Sequence, residues 1–480
     1  MKKKRLIEGL QRIVGKGYVI HHPDDLLAYE YDGSVDRGTA TAVVFPSSTV
    51  QVSQVVALAH REGIPVVPRG AGTGLSGGAI AAEGSIQIAL TRMRSILEVD
   101  AANRLAVVEP GLVNLDLSTS VAPQGLYYAP DPSSQGACTI GGNVAENSGG
   151  PHCLRYGVTT NHVLALEVVL EDGSIVWIGD RYRGGPGYDL VGAFVGSEGM
   201  MGIVTKAVVR LLPRPESVST LMAVFPEMDQ ASAAVSRVIG SGLLPTAMEM
   251  MDRLSIKAVE TAMGYGYPQN AGAVLLIEVD GIEEEVSESA ASVKALCRAE
   301  GASEMRAATE ASARARLWAG RKGALGALGA LAPNYYLVDG VVPRTQLLQV
   351  LRRVGEVSQG SGFPIANVFH AGDGNLHPCI LFDERQAGHT PRVLAAGGEI
   401  LKACVEVGGA LTGEHGVGLE KKAYMPLLFT NADLEAMLRL RRAFAPSGLM
   451  NPGKVFPGGP SCGEGFRPAS VVKADQGMWV

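Results

Sequence analysis

The sequence predicts an α+β protein with more than one domain. Short apolar runs that are typical of strands alternate with amphipathic helical segments, and this pattern occurs in two separate regions of the chain. Pro213 and Pro215, in LPRPES, mark a linker between the two regions. The length of 480 residues exceeds what one hydrophobic core ordinarily serves, so we expect roughly two or three domains.

The first region opens with a β-α-β unit. ATAVVFPSS (40–48) and IPVVPRG (64–70) are typical of strands, and TVQVSQVVALAHREG (49–63) has apolar residues at helical spacing. Such a unit usually forms a parallel strand pair. The pattern then predicts a strand-rich stretch, which continues through SIQIAL, ILEVD, RLAVVEPG, HVLALEVVLEDGSIVWIG and MGIVTKAVVRLLPRP.

The second region predicts an α+β domain with an antiparallel sheet. Its strands and helices are LMAVFP (221–226), MDQASAAVSRVIGSG (228–242), AVLLIEVDG (273–281) and EEEVSESAASVKALCRAEG (283–301). An amphipathic helix near 392–407, a glycine-rich stretch at 408–418 and a helix near 431–445 close it. Residues 459–480 are predicted to form a tail.

Composition excludes several classes of function. The net charge of −6 and the pI of about 5.9 come without a basic stripe, which argues against a nucleic-acid partner. No apolar run approaches the roughly 20 residues that span a bilayer, and MKKKR precedes a mixed helix rather than a signal core. The cysteines form no CxxC pair, which argues against an iron–sulfur cluster and a disulfide framework and favours a reduced, cytoplasmic compartment. They are Cys138, Cys153, Cys297, Cys379, Cys404 and Cys462.

A glycine loop follows the strand that ends at Arg69. RGAGTGLSGG contains GxGxxG at Gly72, Gly74 and Gly77. A Rossmann loop would open a helix, but AIAAEGSIQIAL contains Gly84 and turns to strand within a few residues. We therefore predict a loop whose backbone N–H groups bind an anion, with charge supplied by Arg69; a purely structural loop is the alternative.

Two histidines bracket a predicted hairpin turn in NVFHAGDGNLHP (367–378). If Asp373 and Gly374 are the central turn residues, His370 lies directly opposite His377. Their Cβ atoms would then be about 4.5–5.5 Å apart, a span that one metal ion can bridge. Two polar strand residues without a ligand are the alternative.

The order of these motifs resembles a known family. PRGAGTGLSGG, TIGGNVAENSGG, GSEGMMGIV and the terminal NPGK are similar to the FAD-binding signatures of the vanillyl-alcohol oxidase/PCMH flavoproteins. With NVFHAGDGNLHP and GGALTGEHGVGLEK, nearly the whole chain resembles the FAD-linked 2-hydroxy-acid dehydrogenases. The resemblance implies a PCMH-type FAD-binding domain of two subdomains (1–215), a ferredoxin-like α+β cap domain (216–430), a C-terminal helical segment returning to the flavin (431–458) and the tail (459–480).

The resemblance also implies which residues bind FAD. The family's FAD-contacting positions correspond here to Arg69, Gly70, Ala71, Gly72, Thr73, Gly74, Ser76, Gly77, Pro130, Asp131, Ser134, Thr139, Gly141, Gly142, Asn143, Ser148, Glu198, Gly199, Ile203 and Asn451. Relatives that bind FAD covalently carry histidine where Thr73 stands, so noncovalent FAD is expected. Cys138 lies one position away from the residue that some relatives link to the flavin, and we interpret it as a packing residue.

The resemblance implies a metal site and a catalytic base. His370, His377 and Glu414 match the metal ligands of the metal-containing relatives, and two imidazoles with a carboxylate suit a divalent ion, with zinc expected. His415 matches the relatives' base, and Arg321 matches the arginine that binds the substrate carboxylate; a surface arginine is the alternative for Arg321. NYYLVDG lacks the lysine that relatives acting on larger dicarboxylates add, which favours a small substrate such as glycolate or D-lactate.

The implied activity is oxidation of a small 2-hydroxy acid to the 2-oxo acid, with hydride transfer to flavin N5. The implied partners are a second flavin-type subunit and an iron–sulfur subunit, and a quinone, oxygen or a soluble acceptor are the alternatives. The protein would be cytoplasmic, or peripheral at the inner face of the membrane through a partner. A noncatalytic FAD-carrying electron-transfer or scaffold subunit is the alternative function, and a nicotinamide dehydrogenase is disfavoured because no helix follows Gly77.

Overall fold

A computed structural model describes residues 3–182, 185–268 and 270–458. The predicted tail and Cys462 lie outside the described residues. Within the described chain, helices and strands form two sheet-containing regions in the N-terminal part and one large sheet in the C-terminal part. This arrangement confirms the predicted α+β class.

The N-terminal part contains two small sheets and a separate antiparallel pair of short strands, β7 with β11. Its strands are β1 (Val19–Ile20), β2 (Ala42–Val44), β3 (Val66–Arg69), β4 (Ile86–Ala89), β5 (Ile96–Asp100), β6 (Leu105–Val108), β7 (Leu126–Tyr127), β8 (Val163–Val169), β9 (Ile175–Gly179), β10 (Ile203–Arg210) and β11 (Leu212–Pro213). Its helices are α1 (Lys3–Val14), α2 (Pro23–Leu26), α3 (Thr49–Arg61), α4 (Asn114–Val121), α5 (Ile140–Glu146), α6 (Cys153–Tyr156) and α7 (Leu190–Phe194).

The first sheet has the strand order β1-β2-β4-β3, and β4 pairs in parallel with both β2 and β3. The predicted β-α-β unit is therefore parallel, but β4 lies between its two strands. Helix α3 begins where Ser48 accepts a hydrogen bond from the amide of Gln51. Its apolar residues recur at helical spacing and are buried against this sheet: Val52, Val55, Val56 and Ala59.

The second sheet is antiparallel, with the order β5-β6-β10-β8-β9. One face is covered by α4, α5 and α7, which contribute Leu117, Ile140 and Phe194 to its core. Val169 and Ile203 belong instead to the core of the first sheet. The two small sheets therefore pack together, and the polypeptide between them can enclose a ligand.

The C-terminal part contains a larger sheet with helices on both faces. Its strands are β12 (Ser217–Phe225), β13 (Ala247–Asp252), β14 (Ala273–Gly281), β15 (Glu304–Ala308), β16 (Asn334–Leu337), β17 (Gly340–Val341), β18 (Ile365–His370), β19 (Asn375–Leu376) and β20 (Pro378–Phe382). Its helices are α8 (Met228–Gly240), α9 (Arg253–Met263), α10 (Glu283–Ala299), α11 (Ala311–Ala327), α12 (Leu347–Ser361), α13 (His389–Glu406), α14 (Met425–Leu428) and α15 (Asn431–Phe444).

Strands β12 to β15 form the predicted antiparallel sheet in the spatial order β15-β12-β14-β13, the order of a ferredoxin-like unit. Strand β18 extends the sheet by pairing with β13. Leu275 and Ile277 of β14 pack into the core on one face, and Val274 and Leu276 pack into the core on the other. Both faces are covered, which explains why β14 is a continuous apolar run rather than an alternating one.

The end of the described chain returns to the first sheet. Met450 forms a parallel bridge with Val66, and the amide of Asn451 donates to the carbonyl of Val66 at 2.8 Å. Helix α15 precedes this return and begins at Thr430, whose side chain exchanges hydrogen bonds with Asp433. The C-terminal segment therefore lies beside the strand that leads into the glycine loop.

Candidate active site

The glycine loop connects β3 to β4 without an intervening helix, as the sequence predicts. Gly72 and Gly77 have φ angles of +74° and +80°, a conformation that side chains other than glycine rarely adopt. A Cβ atom at Gly70 would lie 2.5 Å from Thr139 Oγ1, so the loop approaches the start of α5 closely. The glycines permit backbone contact that larger residues would prevent.

A cavity of about 420 Å³ lies between the loop, α5 and the C-terminal part, within the size range of ligand pockets. Most of the predicted FAD-binding residues line it: Arg69, Gly70, Ala71, Gly72, Thr73, Gly74, Ser134, Thr139, Gly141, Gly142, Asn143, Ser148, Glu198, Gly199, Ile203 and Asn451. Residues distant in sequence therefore converge on one cavity. Cys138 also lines it, with Sγ accepting a hydrogen bond from Asn143 Nδ2 at 3.4 Å.

Four predicted FAD contacts do not line this cavity. The carbonyl of Ser76 accepts from the amides of the loop that follows Gly418, and Gly77 packs near Leu419. The carbonyl of Pro130 accepts from an asparagine side chain, and Asp131 binds His152. These residues contact the protein around the cavity instead.

The cavity wall contains polar atoms that fit a polar ligand such as FAD. Arg69 Nη1, Ser197 Oγ and Asn451 Oδ1 are buried and have no hydrogen-bond partner within the described chain. Burial without a partner costs free energy, about 1–3 kcal/mol per group, which ligand hydrogen bonds would recover. The donors and acceptors present therefore suit a dinucleotide with phosphate and hydroxyl groups.

Glu198 connects the two parts of the chain. Its carboxylate accepts hydrogen bonds from the amides of Val417 and Gly418 at 2.7 and 2.8 Å, and its carbonyl accepts from Asn451 Nδ2 at 2.6 Å. Burial raises the pKa of this carboxyl group, and the two amides act in the opposite direction. The loop that carries Glu414 and His415 is thus bonded directly to the predicted FAD-binding region.

His370, His377 and Glu414 converge beside the cavity, which His377 and Glu414 line. The Nε2 atoms of both histidines lie 3.1 Å from Glu414 Oε1, and the two ring centroids are 5.0 Å apart. Both imidazoles are buried. Burial opposes charge on His370, but Glu249 and Glu414 outweigh it and raise its pKa well above the ordinary value.

The predicted hairpin register is wrong, although the histidines do meet. His370 pairs with Asn375, and Asn367 pairs with Pro378. The turn therefore contains four residues, Ala371 to Gly374, and His377 lies diagonally from His370 on the same face. The turn is wider because Gly374 packs directly on the carbonyl of Val342, where a Cβ atom would overlap it, and the Gly374 carbonyl accepts from the Val342 amide at 3.0 Å.

His415 stacks on His377, with ring centroids 5.0 Å apart and an interplanar angle of 2°. Its Nε2 atom lies 3.7 Å from Glu414 Oε1, and its Nδ1 atom lies 4.0 Å from Asp339 Oδ2. Burial lowers the pKa of His415 to about 4 against the attraction of Asp339, so the imidazole is neutral at pH 7. The imidazole lines the cavity and has one unprotonated ring nitrogen.

Arg321 lines the cavity but is not a surface residue. It is 4% exposed, and its Nε and Nη2 atoms lie 2.8 and 2.6 Å from Glu249 Oε2. The exposed residues Lys322 and Tyr335 line the same cavity. NYYLVDG contains no lysine, but Lys322, which was not considered from the sequence, lies in α11 and lines the same cavity as Tyr335.

Two buried carboxylates beside the histidines were missed from the sequence. Glu249 Oε1 accepts from His370 Nδ1 at 2.6 Å. Asp339 is fully buried and accepts from the amides of Gly413 and His415 and from Lys421 Nζ, at 3.0, 3.1 and 3.0 Å. For Glu249, a charged residue within the apolar strand AMEMM is the signal that could have drawn attention to it, although the strand does not show which residues it contacts.

The cluster fits a divalent metal ion. His370, His377 and Glu414 each offer one ligand atom, and these atoms lie within 4.8 Å of one another. Two imidazoles and one carboxylate form a common ligand set that leaves a coordination position for a substrate oxygen. Asp339, His377 and His415 form a second group of this kind, but Lys421 already occupies Asp339 with a positive charge.

The fold and the site together define an FAD-linked oxidoreductase. Residues 40–179 match the family model of FAD binding domains, and residues 214–455 match that of the C-terminal domain of FAD linked oxidases. The chain is 45% identical over 447 residues to glycolate oxidase subunit GlcD of Escherichia coli (strain K12), covering 93% of this chain and 90% of that one. The chain belongs to the FAD-linked oxidase family.

Other relatives give the same result. Glycolate oxidase subunit GlcD of Bacillus subtilis is 40% identical, covering 90% of this chain and 92% of that one, and D-lactate dehydrogenase of Archaeoglobus fulgidus is 34% identical, covering 86% and 90%. Among solved structures, p-cresol methylhydroxylase aligns with a TM-score of 0.79 at 16% identity, over 94% of this chain and 96% of that one. This likeness confirms the predicted PCMH-type fold. Among the described residues, no helix combines the length and apolar character that a membrane span requires.

Proposed function

We propose that the protein is an FAD- and metal-dependent dehydrogenase that oxidises a small 2-hydroxy acid, glycolate or D-lactate, to the 2-oxo acid. The convergence of His370, His377 and Glu414 at the end of a cavity lined by FAD-binding signatures carries the proposal. The relatives named glycolate oxidase subunit GlcD and D-lactate dehydrogenase support this substrate class. Residues 1–215 would form the FAD-binding domain and 216–430 the cap, with 431–458 as the return segment.

His370, His377 and Glu414 would hold a divalent ion, which would supply a Lewis acid that lowers the pKa of the substrate hydroxyl, and bound FAD would supply the hydride acceptor. His415 lines the cavity beside these ligands and takes the hydroxyl proton, a role that ordinarily contributes about 10²–10⁴-fold in rate. The substrate thereby loses a hydride and a proton. Arg321 orients the substrate carboxylate through the guanidinium nitrogen that Glu249 does not engage.

FAD is held noncovalently, since the chain has threonine at position 73 and a buried, asparagine-bonded Cys138. The electrons leave to a partner or a quinone. The named subunit relatives suggest a glycolate oxidase complex, in which a second flavin-type subunit and an iron–sulfur subunit would receive them. Zinc is the ion we expect from the ligand set.

The test is reduction of the bound flavin. The purified FAD-loaded protein with Zn²⁺ or Mn²⁺ should lose its yellow colour on addition of D-lactate or glycolate without NAD, and a chelator should abolish this loss while leaving FAD bound. His415→Ala should retain FAD but slow reduction by about 10²–10⁴-fold. His22→Ala, at an exposed histidine, is the matched control and should behave as wild type.

Two outcomes would contradict the proposal at different levels. If the wild-type flavin stays oxidised with every 2-hydroxy acid tried and metal supplied, the enzymatic function is wrong. If His415→Ala reduces the flavin at the wild-type rate, the function stands but His415 is not the base.

A further inference from the structure

We propose that Glu249 is a positioning residue that holds His370 and Arg321 in fixed relation to each other, so that metal binding and substrate binding depend on one buried carboxylate. The inference rests on the proposed function, in which His370 is a metal ligand and Arg321 binds the substrate carboxylate. Glu249 is a residue of β13, and its side chain contacts both His370 and Arg321.

The strand pairing places Glu249 opposite His370. The two residues are direct partners in the antiparallel pairing of β13 and β18, and their side chains lie on the same face of the sheet. The Glu249 side chain is 0% exposed and the His370 side chain 4% exposed. A carboxylate in this position has no solvent to bind, so its hydrogen bonds go to protein groups.

The two oxygens of Glu249 serve different partners. Oε1 lies 2.6 Å from His370 Nδ1, whereas Oε2 accepts from Arg321 Nε and Nη2 at 2.8 and 2.6 Å. All three contacts are short, as charge-assisted hydrogen bonds are. The rigid backbone of a central strand therefore sets the positions of an imidazole on β18 and of a guanidinium on α11 at the same time.

The contact with Glu249 determines which nitrogen of His370 carries the proton. A carboxylate accepts only, so Nδ1 donates, and Nε2, which faces Glu414, is the nitrogen left to coordinate the proposed ion. Groups that fix a histidine ligand in this way typically change metal affinity by 10–100-fold when they are mutated.

Glu249→Gln separates positioning from packing, because glutamine has the same shape. An amide presents one acceptor and one donor, so it satisfies either Arg321 or His370 but not both. If its oxygen faces Arg321, its N–H₂ group faces His370 Nδ1, and the His370 proton moves to the nitrogen that should bind the ion. If its oxygen faces His370, its N–H₂ group faces the guanidinium of Arg321, and two hydrogen-bond donors then meet without an acceptor.

The experiment measures Mn²⁺ binding to the full-length, FAD-loaded protein, following the electron paramagnetic resonance signal of free Mn²⁺. Glu249→Gln should raise the Kd for Mn²⁺ by about 10–100-fold while FAD content stays at the wild-type level. That rise in Kd is expected when the amide oxygen faces Arg321; when it faces His370, Arg321 loses its anchor, and the KM for D-lactate at saturating Mn²⁺ should rise instead. Asp252→Asn is the matched control: it alters another buried carboxylate of β13 that bonds Ser255 and Asn367, and it should leave the Kd unchanged.

The outcomes distinguish this inference from the proposed function. If wild-type protein does not bind Mn²⁺, the proposed metal site is wrong and the inference falls with it. If wild type binds Mn²⁺ and folded Glu249→Gln matches it in both the Kd for Mn²⁺ and the KM for D-lactate, only the inference is overturned, and Glu249 is merely a buried counter-ion. If Glu249→Gln does not fold, Glu249→Asp decides: its carboxylate is one methylene short of both partners, and an unchanged Kd overturns the inference.

Discussion

A cluster of polar side chains joins the N-terminal part to the large sheet, and its carboxylate Glu278 provides a quantitative test of the packing. His152 Nδ1 lies 2.6 Å from Asp131 Oδ2, and His152 Nε2 lies 3.2 Å from Glu278 Oε1. Glu278 also accepts from Thr220 and, at 2.8 Å, from Trp318 Nε1. Burial alone would raise the pKa of Glu278, but His152, Thr220 and Trp318 outweigh it and lower the pKa to about 2.

The pKa gives the size of the expected effect. Relative to the ordinary value of 4.5, a pKa of about 2 corresponds to about 3 kcal/mol favouring the charged carboxylate in the folded protein. Glu278→Gln should therefore destabilise the protein by about 3 kcal/mol at pH 7. The entropy of unfolding for a chain of this length is about 1 kcal/mol per kelvin, so Tm should fall by about 3 °C.

The effect should depend on pH in a defined direction. Because the folded-state pKa of Glu278 lies below the unfolded one, its contribution is complete above pH 4.5 and is lost as the pH falls toward about 2. The pKa of His152 is raised well above its ordinary value, since Asp131 and Glu278 overcome the effect of burial, so the contribution also shrinks when the pH rises through that pKa. The difference in Tm between the two proteins should narrow at both extremes.

The assay is thermal unfolding of FAD-loaded wild type and Glu278→Gln, followed by circular dichroism between pH 3 and pH 9. Glu288→Gln, at an exposed position of α10, is the matched control and should change stability by less than about 0.5 kcal/mol. If Glu278→Gln lowers Tm no more than Glu288→Gln at pH 7, the reasoning from burial and hydrogen bonding is refuted. A Tm difference that stays constant down to pH 3 would refute the assigned ionisation.

Three further predictions concern other contacts. Gly418→Ala should lower Tm and FAD retention, because Gly418 has a φ of +52° and a Cβ atom there would overlap the Ser76 carbonyl. Gly408→Ala is the control: Gly408 has a φ of +82° but lies in open space, so the substitution should cost only about 1 kcal/mol. Equal effects of the two substitutions would contradict the steric argument. Trp318→Phe should lower stability by about 1–3 kcal/mol by removing the indole donor to Glu278, measured by the same melts, and an unchanged Tm would show that this bond contributes nothing. Acid precipitation should release all flavin from both wild type and Cys138→Ser, as measured by absorbance of the supernatant, and flavin retained in the pellet would contradict noncovalent binding.

The buried polar groups explain how the two parts of the chain are held together. Glu198, which lines the cavity, binds the amides of Val417 and Gly418, and His152 binds Glu278 of the large sheet. Arg155 adds an ion pair with Asp280 at 2.9 Å. The Glu198 contacts hold the loop that carries Glu414 and His415 against the FAD-binding region, and the other two hold β14 against the segment that contains His152 and Arg155.

Local patterns in the sequence were sufficient to predict much of the fold. Apolar spacing predicts α3, and Gly84 together with the early return to strand shows that the loop after Arg69 opens no helix. The antiparallel sheet of the C-terminal part follows from strand and helix periods alone. Such features depend on interactions between near neighbours, which the sequence order displays directly.

The tertiary structure alone decided the features that depend on distant contacts. The four-residue turn before Asn375 depends on close packing of Gly374 on Val342, and this contact moved the hairpin register by two residues from the predicted pairing. The insertion of β4 between β2 and β3 likewise depends on which strand edges meet.

The site shows the same division. The hairpin pattern indicated His370 and His377, and the resemblance of GGALTGEHGVGLEK to the family's motif indicated Glu414 and His415. No motif contains Glu249, which is 121 residues from His370 and reaches it only because β13 pairs with β18. Sequence motifs therefore identify the candidate metal ligands and base. The contacts of the carboxylate that orients His370 are known only from the folded chain, because strand pairing brings these distant residues together.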